Sequence, residues 1–215
     1  MFERNGKRTT RDQLKKQKTK LGYYYIVTDT EETEENFLLG LRDSMPEQLQ
    51  RNLIIKVVKD VETSKLVDTA IENCSEQPQY CEPWIVFDRD EVKDFNKIIA
   101  NAEENSIHVG WSNPCIEIFF YAYFGSMPVC DGSVACCEKF DQEFKKLTNK
   151  RYNKNDKQIY QKLCKFGSEE VAIDTAKKKW KEHIRNGRKK PSEMSPCTTL
   201  YVLIEEIKNK IKEQS

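Results

Sequence analysis

No Cys-x-x-Cys pair occurs in this chain of 215 residues, although it carries eight cysteines. Its two histidines, His108 and His183, lie far apart in sequence. The chain therefore offers no zinc site of the usual ligand spacing. Long apolar runs are missing, so nothing in it is built to span a bilayer, and the first residues hold no apolar segment of the signal-peptide kind. Net charge is almost absent: 36 Lys and Arg stand against 35 Asp and Glu, a formal +1. No global field steers the protein to nucleic acid or to a membrane surface, so any such contact must come from a local patch. Internal repeats and low-complexity blocks are lacking too. These absences leave the expectation of a cytoplasmic protein without membrane contact, its thiols reduced and serving mainly as small buried hydrophobes. A disulfide scaffold is the weaker expectation, because a chain this long with 38% hydrophobic residues can build a core unaided.

The charge that is present is unevenly placed. Residues 1–20, MFERNGKRTTRDQLKKQKTK, set eight Lys and Arg against Glu3 and Asp12. Such a run reads first as a solvated arm and, in a nucleic-acid-binding protein, as a grip on phosphates. A second basic patch, Arg185, Arg188, Lys189 and Lys190, falls in the Gly- and Pro-containing segment RNGRKKPSEMSP (185–196).

Between these patches the hydrophobic period alternates. YYYIVTD (23–29), NLIIKVV (52–58), PWIVFD (83–88) and SIHVGW (106–111) read as strands. Helical spacing comes after each of them, over about 30–41, 61–74, 91–104 and 114–124, with Pro114 suited to a first helical turn. LIIKVV and WIVF are nearly continuous apolar runs, as strands covered on both faces should be. After about residue 134 only helical patterns remain, at 135–149, 156–164, 168–185 and 197–213. The expected architecture is α/β: a basic arm (1–21), a parallel sheet flanked by helices (22–133), and a helical region packed on it (134–215). The aromatics of the last helices, Tyr152 among them, are assigned to the core.

Acids end two of the predicted strands. IVTDTEETEE closes the first and IVFDRDE the third. Parallel strands present their carboxyl ends on one edge, where α/β folds keep their crevice. Side chains two apart on an extended chain point the same way, so Asp88 and Asp90 should converge with Arg89 turned aside. Carboxylates gathered in one cleft raise each other's pKa unless a cation joins them. Mg²⁺ takes one or two carboxylates with waters and substrate phosphates, and supports phosphoryl displacement. The simpler reading of any single acid is a helix cap. The segment WSNPCIE (111–117) is expected to add Ser112 or Asn113 as a cap, free N–H groups for phosphate, and Glu117 one turn inside the helix.

These pieces, in this order, resemble the RloB family of bacterial phage-defence proteins. YYYIVTDTEETEENFLLGL is similar to its opening strand and acidic motif, IVFDRDE to its DRDE motif, and VGWSNPCIEIFFYAYF to its SNP signature. YNKNDKQIYQKL and SPCTTLYVLIEEI resemble its helical C-terminal region. The likeness covers roughly residues 22–210. It implies a Toprim-like fold related to the OLD-type nucleases, with Mg²⁺ or Mn²⁺ held by Asp29, Glu34, Asp88 and Asp90. Those four residues and Glu117 would then be catalytic. Ser112, Asn113, Arg89, Arg188, Lys189 and Lys190 would touch the substrate. It further implies nucleic acid as target, RNA such as tRNA included, and an ABC- or AAA-type ATPase as partner in abortive infection.

This chain departs from the family twice. Asp29–Thr30 replaces Glu-Gly, which sets the carboxylate back by ~1.5 Å, and Tyr123 stands near the place of the usual His. Two other readings stay open beside the nuclease. One is a weak or inactive module that acts by docking on its ATPase. The other is a phosphotransfer enzyme for a small substrate.

Overall fold

The computed structural model describes residues 22–29, 32–50, 53–75, 81–90 and 92–213. In chain order these form β1 (Gly22–Thr28), α1 (Thr33–Asp43), α2 (Glu47–Gln50), β2 (Leu53–Val58), a 3₁₀ turn (Thr63–Lys65) and α3 (Leu66–Ser75). Next come β3 (Cys81–Asp88), α4 (Phe95–Glu104), β4 (His108–Asn113), α5 (Glu117–Ala122), α6 (Gly132–Thr148), α7 (Ile159–Phe166) and α8 (Glu169–Arg185). A 3₁₀ turn (Pro191–Glu193), β5 (Cys197–Thr198) and α9 (Leu200–Lys212) complete the chain. Among the described residues no helix is long and apolar enough to cross a membrane.

The strands lie in the order β2-β1-β3-β4-β5. β1 pairs in parallel with β2 and β3, β3 pairs in parallel with β4, and β5 is antiparallel to β4. The period of two along a strand divides the apolar runs between two cores. Tyr24, Ile26, Trp84 and Val86 face a large core built with α1 and α5–α9. Tyr25, Val27, Ile85 and Phe87 face a smaller one built with α3 and α4. Both faces are therefore covered, and the near-continuous hydrophobicity of WIVF is what that geometry requires. The mixed α/β sheet with flanking helices agrees with the sequence reading.

Four details differ from it. Strand β4 does not stop at Trp111 but runs through Ser112 and Asn113, because these pair with Thr198 and Cys197. That pairing makes β5, a strand within the stretch expected to be wholly helical. The helix after β4 is shorter than 114–124. The Asn113–Pro114 peptide is cis, and Pro114 lies ahead of the first helical residue, Glu117. The helix expected from residue 91 starts at Phe95. Finally, Cys74 at the end of α3 and Cys81 at the start of β3 are joined by a disulfide, with Cα atoms 5.8 Å apart. The thiols are thus not all reduced, since packing of α3 against β3 brings those two into bonding range.

Thr198 closes the sheet at this edge. Fully buried, it donates to Trp111 O at 3.0 Å, accepts from Leu200 N–H at 3.1 Å, and lies 3.1 Å from Ser112 Oγ. Thr198→Val keeps the shape but strands the Leu200 N–H and the Ser112 hydroxyl, while Trp111 O keeps the Thr199 N–H, at a cost of about 1–3 kcal/mol. For a chain of this size the melting temperature should fall by roughly 3–10 °C. A shift below about one degree in a thermal melt would show that β5 does not anchor the edge.

Candidate active site at the carboxyl edge of the sheet

Register sets the site. Thr28 pairs with Val86, and Asp88 pairs with Ser112. Asp29, Asp88 and the turn after Asn113 therefore leave the sheet together on one edge. Glu34 comes to the same edge as the second residue of α1, with 1% of its surface exposed. Glu117, also 1% exposed, opens α5.

The groups meet in pairs. Asp88 Oδ2 accepts the Ile116 N–H at 2.9 Å. Part of its surface still meets solvent, yet burial of its carboxyl pushes the pKa well above the usual carboxylate range. Glu34, Glu117 and Asp29 add to the rise by repulsion. Asp29 Oδ2 accepts from Thr63 Oγ at 2.8 Å, while its Oδ1 is buried without a hydrogen-bond partner. Burial raises the Asp29 carboxyl to about 6, with a smaller push from Asp90; the Thr63 bond works the other way. Glu117 Oε1 accepts from Tyr152 OH at 2.9 Å. The ion pairs among the described residues run elsewhere, such as Lys59–Glu35 and Lys210–Glu82, and none of them includes Asp88 or Glu117.

Asp90 stands apart from Asp88. The extended geometry that should have made them converge ends at Asp88, and the backbone turns at Asp90 with φ +24°. Asp90 is exposed and accepts from Ser133 Oγ. Its backbone N–H reaches Pro114 O at 3.1 Å. Arg89 Nη1 reaches Asp90 O at 3.3 Å, and its buried Nε has no partner.

Two expected roles do not fit the geometry. Ser112 and Asn113 are strand residues, and no side chain caps α5. Ser112 Oγ meets Thr198, and Asn113 Nδ2 donates to Pro191 O at 3.1 Å and to Ser192 O at 3.3 Å. The Ile116 N–H, expected to be free for phosphate, is taken by Asp88. Asn113 does something else: it ties the 191–193 turn to the edge that carries the acids. In the basic loop, Arg188 is committed to His183 Nδ1 and Glu193 O, Lys190 lies 4.0 Å from Glu193, and Lys189 is exposed. The arm 1–21, Thr30, Glu31 and Glu91 lie outside the described residues.

Three groups at this edge escaped the sequence reading. Tyr152, assigned to the core, does pack on Phe140, with ring centroids 4.8 Å apart, but its hydroxyl serves Glu117. Lys154, exposed to solvent, lies near the acids: some burial opposes its charge, and Glu117, with Cys137, Cys115 and Asp88, holds its ammonium above the usual range. Beside Asp29, a groove of about 550 Å³ is lined by Thr63, Ser64, Lys93 and Lys97 among others. The carboxylates suit a hard divalent cation. Their oxygens are crowded and include an orphaned one, and Mg²⁺ asks for only one or two of them. Asp29, Glu34, Asp88 and Asp90 do not close into one tight ligand cage among the described residues. The group of donors that does so is Cys115, Glu117 and Cys137.

The family described as RloB-like protein matches residues 24–207. No curated protein and no solved structure matches the chain.

The crowding has a thermodynamic signature. Folded Asp29 and Asp88 bind protons more tightly than an unfolded carboxyl, which titrates near pH ~3.9. The stability they contribute is complete below that pH and is lost as pH rises through about 6, the Asp29 value. In EDTA the melting temperature should therefore fall between pH 5 and pH 7. Mg²⁺ should restore it at pH 7. Asp88→Asn, which can still accept from Ile116, should raise it there by a few degrees and flatten the slope. A melting temperature that climbs from pH 5 to pH 7 in EDTA would contradict the crowding.

Proposed function

The chain belongs to the RloB-like family, and from that premise we propose that it is a divalent-metal-dependent nuclease of an anti-phage defence system. Its fold is read as Toprim-like and its target as nucleic acid, RNA such as tRNA included. The observation that carries the reading is the set of buried acids Asp88, Glu34 and Glu117, with Asp29 beside them, beyond the carboxyl ends of parallel strands. Nothing in a stable fold calls for so much repelling charge at one edge unless a cation and a phosphate are to meet there.

Of the four acids expected to hold Mg²⁺ or Mn²⁺, Asp29, Glu34 and Asp88 would form the site, with Asp90 apart at the rim; the metal would supply charge against the phosphate oxygens and lower the pKa of an attacking water. The protein's own groups do the rest. Of Asp29 and Glu34, one would serve as ligand and the other as the base that takes a proton from water. Lys154 brings a positive charge to the same edge. Lys93 and Lys97 border the groove beside Asp29, where a polyanion could lie. The basic loop is moored to this edge through Asn113. The ATPase partner and a cytoplasmic setting belong to the same proposal and rest on the family likeness.

Wild type and the Asp88→Asn/Asp90→Asn double variant should be incubated with tRNA, single-stranded RNA and DNA in Mg²⁺, Mn²⁺ or EDTA. Cleavage should require the metal and fall at least ~100-fold in the double variant. Equal inactivity of both, with the ATPase present, would turn the reading toward a binding module. Cleavage that survives the substitutions would place the chemistry elsewhere.

A further inference from the structure

Cys115 and Glu117 are two residues apart on the turn into α5, and Cys137 comes from α6. Their ligand atoms all lie within 4.8 Å of one another. Cys115 and Glu117 are buried, at 3% and 1% exposure, and Cys137 is partly so. Buried thiols alone pack as small hydrophobes. A buried carboxylate beside two thiols is a different matter, because together they offer three donors of the kind that hold a metal ion.

We infer that Cys115, Cys137 and Glu117 form a site for one thiolate-preferring divalent ion, Zn²⁺ by the chemistry of the donors. Sulfur ligands disfavour Mg²⁺ and select zinc and its soft neighbours. In tetrahedral zinc sites neighbouring donors stand ~3.3–3.8 Å apart, so closure here asks for a movement of about 1 Å. Two thiolates and a carboxylate carry −3; with a +2 ion the site is −1, a charge that solvent and the exposed Lys154 nearby can offset. Tyr152 OH holds Glu117 Oε1 at 2.9 Å and leaves the second oxygen to the ion, the usual arrangement around a metal-binding carboxylate. The bonds that Cys115 gives up are weak thiol contacts: its Sγ reaches Ser133 O at 3.9 Å and meets the thiols of Cys136 and Cys137. Three protein donors leave a fourth position for water. Zinc sites of ordinary spacing draw on Cys-x-x-Cys pairs, which this chain lacks; here the fold joins two segments about twenty residues apart.

The inference does not rest on the nuclease reading. Tag-free full-length protein, purified under reducing conditions without chelator, should carry about one zinc per chain by elemental analysis. Cys115→Ser and Cys137→Ser should lose it. Tyr152→Phe should weaken zinc at least ~10-fold in competition with a chromophoric chelator. Cys164→Ser, an exposed thiol on α7, should retain it. Should the cysteine variants fail to fold, wild type loaded with Co²⁺ decides, since thiolate ligation produces an intense charge-transfer band. Wild type that takes no zinc from excess, folded variants that bind as wild type does, a cobalt spectrum without that band, or a Cys115–Cys137 disulfide found by peptide mapping would each overturn the site. Zinc retained by Asp88→Asn while cleavage is lost would separate this site from the nuclease reading.

Discussion

Parallel pairing of β1 with β3 and of β3 with β4 forces three strand ends, and the segments leaving them, onto one edge. Everything chemical in this protein depends on that constraint. Asp29, Asp88 and Glu117 belong to separate stretches of sequence, and nothing local brings them together. The sheet does so with an atom-level link at its rim: the Ile116 N–H, just ahead of α5, is bonded to Asp88. That bond places Glu117 next to Asp88 and at the same time offsets a little of the charge it creates. The remaining repulsion is kept in place by the two cores on either face of the sheet, beside which the site is a minor part of the packing. A fold can hold such an arrangement only because the cost is a few kcal/mol against many buried aromatic and aliphatic side chains.

The parts of this design that sequence exposes are those with a period. WIVF shows two-sided burial because Trp84 and Val86 enter one core while Ile85 and Phe87 enter the other. Asp29 and Asp88 were legible because the strands that end in them are strongly patterned. Other features were hidden, each for a physical reason. β5 is two residues long, too short to show a period, and it exists through pairing with a strand from much earlier in the chain. Ser112 and Asn113 look like helix caps in isolation, but a partner strand and the 191–193 turn claim them. Asp90 comes two residues after Asp88, yet the backbone turns there at φ +24°, so the alternation of an extended chain breaks at its last residue. Tyr152 was visible as an apolar side chain; its hydroxyl partner was not, since Glu117 lies 35 residues before it.

The region after residue 131 is accordingly more than a cover for one face of the sheet. Ser133 at the start of α6 bonds Asp90, the segment between α6 and α7 contributes Tyr152 and Lys154, and the turn before β5 receives Asn113. Each of these contacts reaches the acidic edge from a different element. A shift of the C-terminal helices would therefore change the donors and charges around Glu117 directly.

Glu117 itself belongs to two neighbourhoods with opposite tastes. On one side are Asp88 and Glu34, oxygen donors that repel one another and suit a small hard ion with waters in its shell. On the other are Cys115 and Cys137, whose sulfur such an ion avoids. Ligand chemistry, and not distance, would then sort two kinds of cation across a single carboxylate. That carboxylate is nearly fully buried, and its Oε1 accepts from Tyr152 OH. Occupancy of the thiol side would alter the charge that Asp88 and Asp29 experience. The electrostatics of the acidic edge cannot be treated as a property of the acids alone; the thiols packed beside α5 are part of it.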